Sequence, residues 1–166
     1  MREPTGEDGP AISALIRRCP PLDVNSDYCN LLQCTHFAET CVVAEDDSGP
    51  VGWISGYRPP SEPGTFFVWQ VAVDPRARGT GLGGRMLMAL LRRPANKGVT
   101  TLTTTITEAN EASWALFGAL ARRLGAPIHR RPHFERATHF AGQHETEHLV
   151  SIGPFDQPAA NAEETP

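Results

Sequence analysis

The plainest chemical capacity in this chain lies just after Asp74-Pro75, where Arg76, Arg78, Gly79, Thr80, Gly81, Leu82, Gly83 and Gly84 fall within nine positions. Glycines let several backbone N–H groups turn toward one point, and a helix starting there adds the partial positive charge of its N-terminus. With arginines at the rim, this turn is suited to hold a phosphate. No Gly-Lys-Ser/Thr follows, so it is not a Walker loop. Gly79-x-Gly81-x-x-Gly84 is a formal dinucleotide match. It is discounted because the strand arrives mid-chain and no acidic residue ending a second strand lies about 20 residues on.

A second cluster sits near the C-terminus. His144-Glu145-Thr146-Glu147-His148 satisfies H-E-x-x-H, which on a helix aligns two imidazoles for Zn²⁺ with the glutamate as base. Gly142 on one side and Gly153-Pro154 on the other leave little room for a buried helix, and no third ligand is evident, so no metal is expected. His129 and His133 also sit four apart, but Pro132 interrupts the helix that would align them. Cys19, Cys29, Cys34 and Cys41 show no C-x-x-C spacing and are expected to be free, buried thiols.

Composition bounds the partners. The 166 residues suit one domain, and 15 basic against 19 acidic side chains give a net charge of -4. That balance argues against nucleic acid as a partner and makes the arginines of the glycine turn a local feature. The longest apolar run of the helix after the turn, Met86 to Leu91, falls far short of the ~20 residues that span a bilayer. No membrane association is expected, and without a secretory signal the expected location is cytoplasmic.

Elements must position these groups. Phe67, Trp69, Val71 and Val73 alternate with Phe66, Val68, Gln70 and Ala72, and this near-unbroken apolarity predicts a strand over Thr65 to Val73 covered on both faces. Pro75 ends it by removing a ladder donor. Upstream, Arg2-Glu3-Pro4 suggests the tail of an edge strand. A helix capped at Thr5 or Asp8 then carries Ile12, Leu15, Ile16 and Cys19, stopping at Pro20-Pro21. A second helix, about Ser26 to Thr35, is expected to bury Tyr28, Leu31 and Leu32. Thr40 to Glu45 and Val51 to Tyr57 predict a hairpin. After the loop helix, Val99 to Thr107 predicts a strand, and Trp114, Leu116, Phe117, Leu120 and Leu124 a helix that Gly125 closes. The domain is expected over residues 1–156, with residues 157–166, rich in Ala, Glu and Pro, as a disordered tail.

The glycine turn resembles the phosphate-binding signature of the GNAT acyltransferases, Arg/Gln-x-x-Gly-x-Gly/Ala, through Arg76, Gly79 and Gly81. That resemblance implies an α/β fold with a mixed, mostly antiparallel sheet, a splayed parallel strand pair and helices on both faces. It also implies acetyl-CoA as cosubstrate, its pyrophosphate on Arg76, Arg78, Gly79, Thr80, Gly81, Leu82 and Gly83 and its pantetheine along Val71 and Val73. Asn110-Glu111-Ala112-Ser113-Trp114-Ala115-Leu116-Phe117 matches the family's N-x-x-S/A-x-x-L-Y pattern except at its end. Asn110 would meet the pantetheine or merely cap its helix. Phe117 replaces a tyrosine that is often the general acid, and a phenyl ring cannot donate a proton. The Val71 amide would hold the oxyanion. No carboxylate stands on Phe66 to Val73, so the base must come from elsewhere.

Four further stretches are similar to the L-2,4-diaminobutyrate acetyltransferases of ectoine biosynthesis: Cys19 to Tyr28, Cys34-Thr35-His36-Phe37, Phe67 to Val73, and Gly142-x-His144-Glu145-x-Glu147. The resemblance spans about Arg2 to Phe155 and implies acetylation of the γ-amino group, and a homodimer. For a substrate with two ammonium groups and one carboxylate, Asp23 and Glu145 or Glu147 are the expected ammonium contacts, with Glu147 and Trp69 also placed among the catalytic residues beside Val71. Trp69 is the expected wall, and Asn25, Ser26 and Tyr28 either bind the carboxylate or cap the second helix. Plainer readings stand beside these: Asp23 as a helix-entry cap, Trp69 as core, Glu145 and Glu147 as solvated charges. Another small diamine or amino acid as substrate stays open, as does a non-catalytic CoA-binding module, for which Phe117 is the main support.

Overall fold

Thr65–Val73 forms the strand around which the molecule is laid out, and its neighbours follow from which of its faces they cover. A computed structural model of the chain describes residues 1–158. In chain order these form α1 (Gly9–Arg17), α2 (Asp27–Thr35), β1 (Val42–Asp46), β2 (Gly49–Tyr57), β3 (Thr65–Val73), α3 (Leu82–Leu91), β4 (Thr101–Thr107), α4 (Glu111–Leu124), β5 (Ile128–Phe134), α5 (Arg136–Phe140) and β6 (Glu147–Ile152). Six strands make one sheet in the order β1-β2-β3-β4-β6-β5. Every pairing is antiparallel except β3 with β4. The expected mixed sheet and splayed parallel pair are both present.

Two cores lie on opposite sides of the sheet. Ile54, Phe66, Val68, Met86, Leu87, Leu90, Leu102, Ile106, Phe117 and Leu120 pack beneath α3 and α4, while Ile12, Leu15, Ile16, Val43, Trp53 and Ala72 pack beneath α1 and α2. β3 serves both by alternation, and a bulge shifts its phase midway. Ser55 faces Gln70 but Gly56 faces Val68, which leaves Trp69 as the extra residue. Before it, Phe66 and Val68 face α3 and α4; after it, Val71 and Val73 do, and Ala72 turns to α1.

The parallel pair separates early. Only Thr65, Phe66 and Phe67 face Thr101, Leu102 and Thr103, and beyond Phe67 the strands part. The bulge at Trp69 lies just beyond the last paired residue, and Asn110, Ser113 and Phe117 line the gap.

Several expectations change. α2 does not bury Tyr28 or Leu31, which are 70% and 38% exposed. Its inner face is Asn30, Gln33 and Cys34, because it meets α1 through a hydrogen bond, Asn30 Nδ2 to Ser13 Oγ at 2.8 Å, rather than through an apolar stripe. β5 and β6 add an unforeseen antiparallel pair, and Pro132 is accommodated because β5 is the sheet edge. Gln157, expected as the first tail residue, is held in the domain: its Nε2 donates to Leu91 and Asn96 carbonyls and its Oε1 accepts from the Gly98 amide. Residues 159–166 of that expected tail lie outside the described residues.

Candidate active site

Where β3 and β4 part, a cavity of about 570 Å³ opens between Val68, Trp69, Gln70 and Val71 on one side and Thr104, Thr105, Ile106 and Thr107 on the other. Asn110, Ser113 and Phe117 close one end. The loop carrying Asp23 and the segment carrying His144, Glu145 and Glu147 close the other. Over Val71, Asn110 and Ser113 this cavity continues into a groove floored by Val73, Arg78, Gly79, Gly81, Leu82, Gly83 and Gly84.

The groove has the character its sequence predicted. Gly79 and Gly81 hold φ of 76° and 77°, a left-handed conformation that lets consecutive amides face one way, and α3 starts directly after. Among the described residues the amides of Gly79 through Gly84 donate to no protein acceptor; Arg85 N, bonded to Gly81 O at 3.1 Å, is the first that does. Gly83 also permits close packing, since a Cβ there would stand 3.3 Å from Leu116 Cδ1. Six unpaired amides thus stand at a helix start, where the helix end also carries partial positive charge.

Not all of its predicted rim contributes. Arg76 is turned away, paired with Asp46 at 3.2 Å and Asp74 at 3.5 Å, and does not line the groove. Asp74 is 6% exposed, also takes Arg18 at 3.1 Å, and its carboxyl lies below the usual range, first because it accepts the Arg76 amide. Arg76 therefore braces the turn from behind. Thr80 likewise spends its hydroxyl on the Ala77 carbonyl. Arg78 lines the groove and donates Nε to Val73 O at 3.1 Å.

The amide expected to meet the thioester is free to do so. Asp74 N donates to Val51 O, so with the β2–β3 register the bonded pairs are Val51 with Asp74, Trp53 with Ala72 and Ser55 with Gln70. Val71 and Val73 fall between them and turn their N–H and C=O groups toward the gap. The Val73 carbonyl shows the direction, accepting from Cys19 Sγ and Arg78 Nε. Asn110 caps α4, its Oδ1 accepting from Ser113 N at 3.1 Å, and it also lines both cavities, so the two readings of Asn110 are compatible.

At the far end three groups converge. His144 Nε2 lies 4.0 Å from both Asp23 Oδ2 and Glu147 Oε1. The Asp23 side chain is 85% exposed and that of Glu147 only 17%. Burial raises the Glu147 carboxyl, against the lowering by the Thr105 hydroxyl and His144. Glu145 and Trp69 line the same cavity, Trp69 half-exposed on its bulge and edge-on to Tyr57 with centroids 6.4 Å apart. Asn25 reaches the cavity and donates to Gln70 Oε1 at 3.2 Å. Ser26 and Tyr28 are not brought in: Ser26 Oγ caps α2 by accepting Cys29 N, and Tyr28 points to solvent.

The H-E-x-x-H reading loses its footing. The H-E-x-x-H stretch is loop up to Thr146 and strand from Glu147, so its imidazoles never share a helical face, and His148 meets Glu108 at 3.9 Å instead. Among the described residues no three His, Cys, Asp or Glu side chains gather as a metal site. Burial also pushes the Cys34 thiol to about 11 and the Cys41 thiol to about 12, leaving neither as a nucleophilic thiolate.

The Acetyltransferase (GNAT) family profile matches residues 10–121. The chain belongs to the GNAT family. Among its relatives, this acetyltransferase is 54% identical to the L-2,4-diaminobutyric acid acetyltransferase of Methylotuvimicrobium alcaliphilum, over 93% of this chain and 90% of that protein. It is 50% identical to that of Chromohalobacter salexigens, over 94% and 81%. Among solved structures it resembles diaminobutyrate acetyltransferase EctA from Paenibacillus lautus, in complex with L-2,4-diaminobutyric acid and coenzyme A, with a TM-score of 0.89, 38% identity and 95% coverage of both chains. A GNAT-like decarboxylase in complex with isobutyryl-CoA, 18% identical with a TM-score of 0.67 over 92% of this chain and 97% of that one, shares the fold.

Sequence reasoning named many residues that line this cleft but gave His144 no role between Asp23 and Glu147, reading it within a zinc pattern and as part of the Gly142 to Glu147 resemblance. It also missed Thr104, Thr105 and Gln143 along the walls. A polar Gln70 in an apolar strand was the one visible signal for the interior of the amine end.

Proposed function

We propose that this chain is an acetyl-CoA-dependent N-acetyltransferase that acts on the γ-amino group of L-2,4-diaminobutyrate, the step before cyclisation in ectoine biosynthesis. One observation carries the reading: the β3–β4 gap has a free amide at Val71, an anion-binding groove at one end and Asp23, Glu145 and Glu147 at the other. Relatives 54% and 50% identical to this chain are named for that activity.

The chain's own groups divide the work. The open amides of Gly79 to Gly84 and Arg78 take the pyrophosphate, and the pantetheine lies along Val71, Val73 and Asn110. An ammonium with pKa near 10.4 is neutral in only about one molecule per thousand at pH 7, so the amine needs a base. Glu147 takes that role, because burial raises its proton affinity toward that of the group it must deprotonate. Asp23 holds the second ammonium and Trp69 excludes water. The freed nitrogen lone pair attacks the thioester carbon, and the carbonyl electrons move onto an oxygen that accepts the Val71 N–H. One such donor is worth roughly 3–4 kcal/mol. Collapse re-forms the carbonyl, breaks the C–S bond and expels the thiolate, while the nitrogen passes its remaining extra proton to a solvent water, which can hand one on to the thiolate. Phe117, buried beside the gap, supplies no proton, so the thiolate takes one from water.

A homodimer belongs to this reading. Supporting it, Phe37, Trp69 and Phe134 are all at least 40% exposed around one apolar recess lined also by Phe67, Thr103 and Leu149 of β3, β4 and β6. A cytoplasmic location also belongs to it, supported by four unpaired cysteines. Calorimetric titration with CoA and then diaminobutyrate, followed by mass and fragment analysis of the product, tests the function. Saturable CoA binding and a γ-acetylated product are expected; CoA binding without any acetylated diamine would leave only a binding module.

A further inference from the structure

Gln70 is an amide in an otherwise apolar strand, 8% exposed, and both ends of its side chain are spoken for. Its Nε2 donates to the backbone carbonyl of Asp23 at 2.8 Å, and its Oε1 accepts from Asn25 Nδ2 at 3.2 Å. It thus grips the Asp23–Asn25 segment on both sides of Val24. That segment has no regular structure of its own. The grip continues inward: Asn25 Nδ2 lies 3.5 Å from Asn30 Oδ1, and Asn30, fully buried, donates to Ser13 Oγ of α1. Burying such a row of amides is unfavourable unless each is paired, and an apolar side chain would fill the space at less cost.

The Asp23 carboxylate has no comparable anchor. Its side chain is 85% exposed, and the His144 imidazole stands 4.0 Å away. Where it stands is therefore set by its backbone, and the backbone is tied to Gln70. The bulge at Trp69 makes this tie possible. Without the extra residue, Gln70 would share the face of Phe66 and Val68 beneath α3; with it, Gln70 faces the Asp23 loop. Gln70 and Val71 are joined by one peptide unit. The same unit thus sets the span between the ammonium anchor and the oxyanion donor.

We propose that Gln70 is a positioning residue for the amine, acting through the Asp23 loop to fix the distance from the bound diamine to the thioester. The proposal rests on the functional reading above, in which Asp23 holds an ammonium. Misplacement of a reactant by about 1 Å can cost about a hundredfold. Gln70→Met, close in size but without donor or acceptor, is therefore expected to lower kcat/KM for diaminobutyrate at least about tenfold while CoA affinity by calorimetry stays within about twofold. The decisive measurement is the cycle with Asp23→Ala. If Gln70 works through Asp23, adding Gln70→Met to Asp23→Ala lowers kcat/KM no further, although the thermal midpoint falls equally in both backgrounds. Equal losses in both backgrounds overturn the proposal, as does an Asp23→Ala enzyme with unchanged KM for the diamine. Should Gln70→Met lose CoA binding, the cycle is read with Gln70→Glu, which keeps the outline and the acceptor but not the donor to Asp23. A wild-type chain that forms no acetylated diamine refutes the functional reading itself, whereas an active wild type with additive losses refutes only the role of Gln70.

Discussion

Glu147 opens β6 at the closed end of the cleft, its side chain 17% exposed beside His144. Burial raises its carboxyl pKa, so the charged form needed to accept a proton is complete only at higher pH than for a solvated glutamate. Two consequences have opposite signs. Activity should rise with pH through the raised pKa. Stability should move the other way: the contribution of Glu147 is whole below its unfolded pKa and is lost as pH rises through the raised folded value. Glu147→Gln should therefore lower kcat by about 10²–10⁴ and remove the acidic limb of the pH–rate profile, yet leave the thermal midpoint at pH 7 unchanged or higher. Rate profiles and thermal melts on the same preparation check both, and a midpoint well below wild type would mark Glu147 as structural. His144 shows why the site was only partly legible in sequence. H-E-x-x-H says nothing about whether its residues form a helix, and here the stretch is loop and strand, which aims His144 at Asp23 and Glu147 rather than at a second imidazole. Prolonged treatment with a chelator is accordingly expected to leave turnover unchanged; a loss that added zinc restores would return the pattern to its metal reading.

Among the elements, the strand–turn–helix from β3 into α3 was the most legible, because apolar run, proline stop and glycine turn each depend on local chemistry. What the pattern did not reveal was the bulge. A strand apolar on both faces looks much the same in either phase, and the single polar Gln70 does not by itself mark Trp69 as the extra residue beside it. Arg76 was misplaced for a related reason: spacing put it in the phosphate signature, but Asp46 and Asp74 hold it behind the turn. The pair β5 and β6 escaped notice because β5, Ile128–Phe134, carries His129, Arg130, Arg131 and Pro132 and is exposed along almost its whole length. An edge strand with no buried face leaves no alternation to find. The turn itself gives the prediction at this scale. Gly81 has φ of 77° and its amide is open, so Gly81→Glu places both a strained backbone, costing about 1 kcal/mol, and a negative charge at the anion site. CoA affinity should fall at least about tenfold, equivalent to about 1.4 kcal/mol, with the circular dichroism spectrum retained. Unchanged affinity in calorimetry would remove the pyrophosphate from this turn.

Across the whole molecule the catalytic gap is held open between two cores that share only the sheet, so anything that ties the outer layers together also protects the gap. The start of the chain does this. Arg2 exchanges backbone hydrogen bonds with Val43, adding a short bridge to the otherwise open edge at β1, and its guanidinium spans Asp8 at 2.7 Å and Glu45 at 2.6 Å. Asp8 in turn accepts the Thr5 amide just before α1, so one carboxylate joins the edge strand, the chain terminus and the entry to the helix layer. The Arg2 hydrogen bond holds the Asp8 carboxyl at about 2, below its ordinary 3.8. A depressed carboxyl pKa contributes stability that is present above the unfolded value and lost as pH falls through the folded one. Between neutrality and pH 5 the clasp should thus be intact, and it should weaken from about 4 down to about 2. Because Arg2 is 42% exposed, solvent screening limits the contribution to about 1 kcal/mol. Asp8→Asn should accordingly lower the thermal midpoint by a few degrees at pH 7, and the difference from wild type should shrink as the pH approaches 3. Melts of both chains across that range decide it: a gap that stays constant with pH would assign the loss to the Thr5 cap rather than to the charge on Asp8.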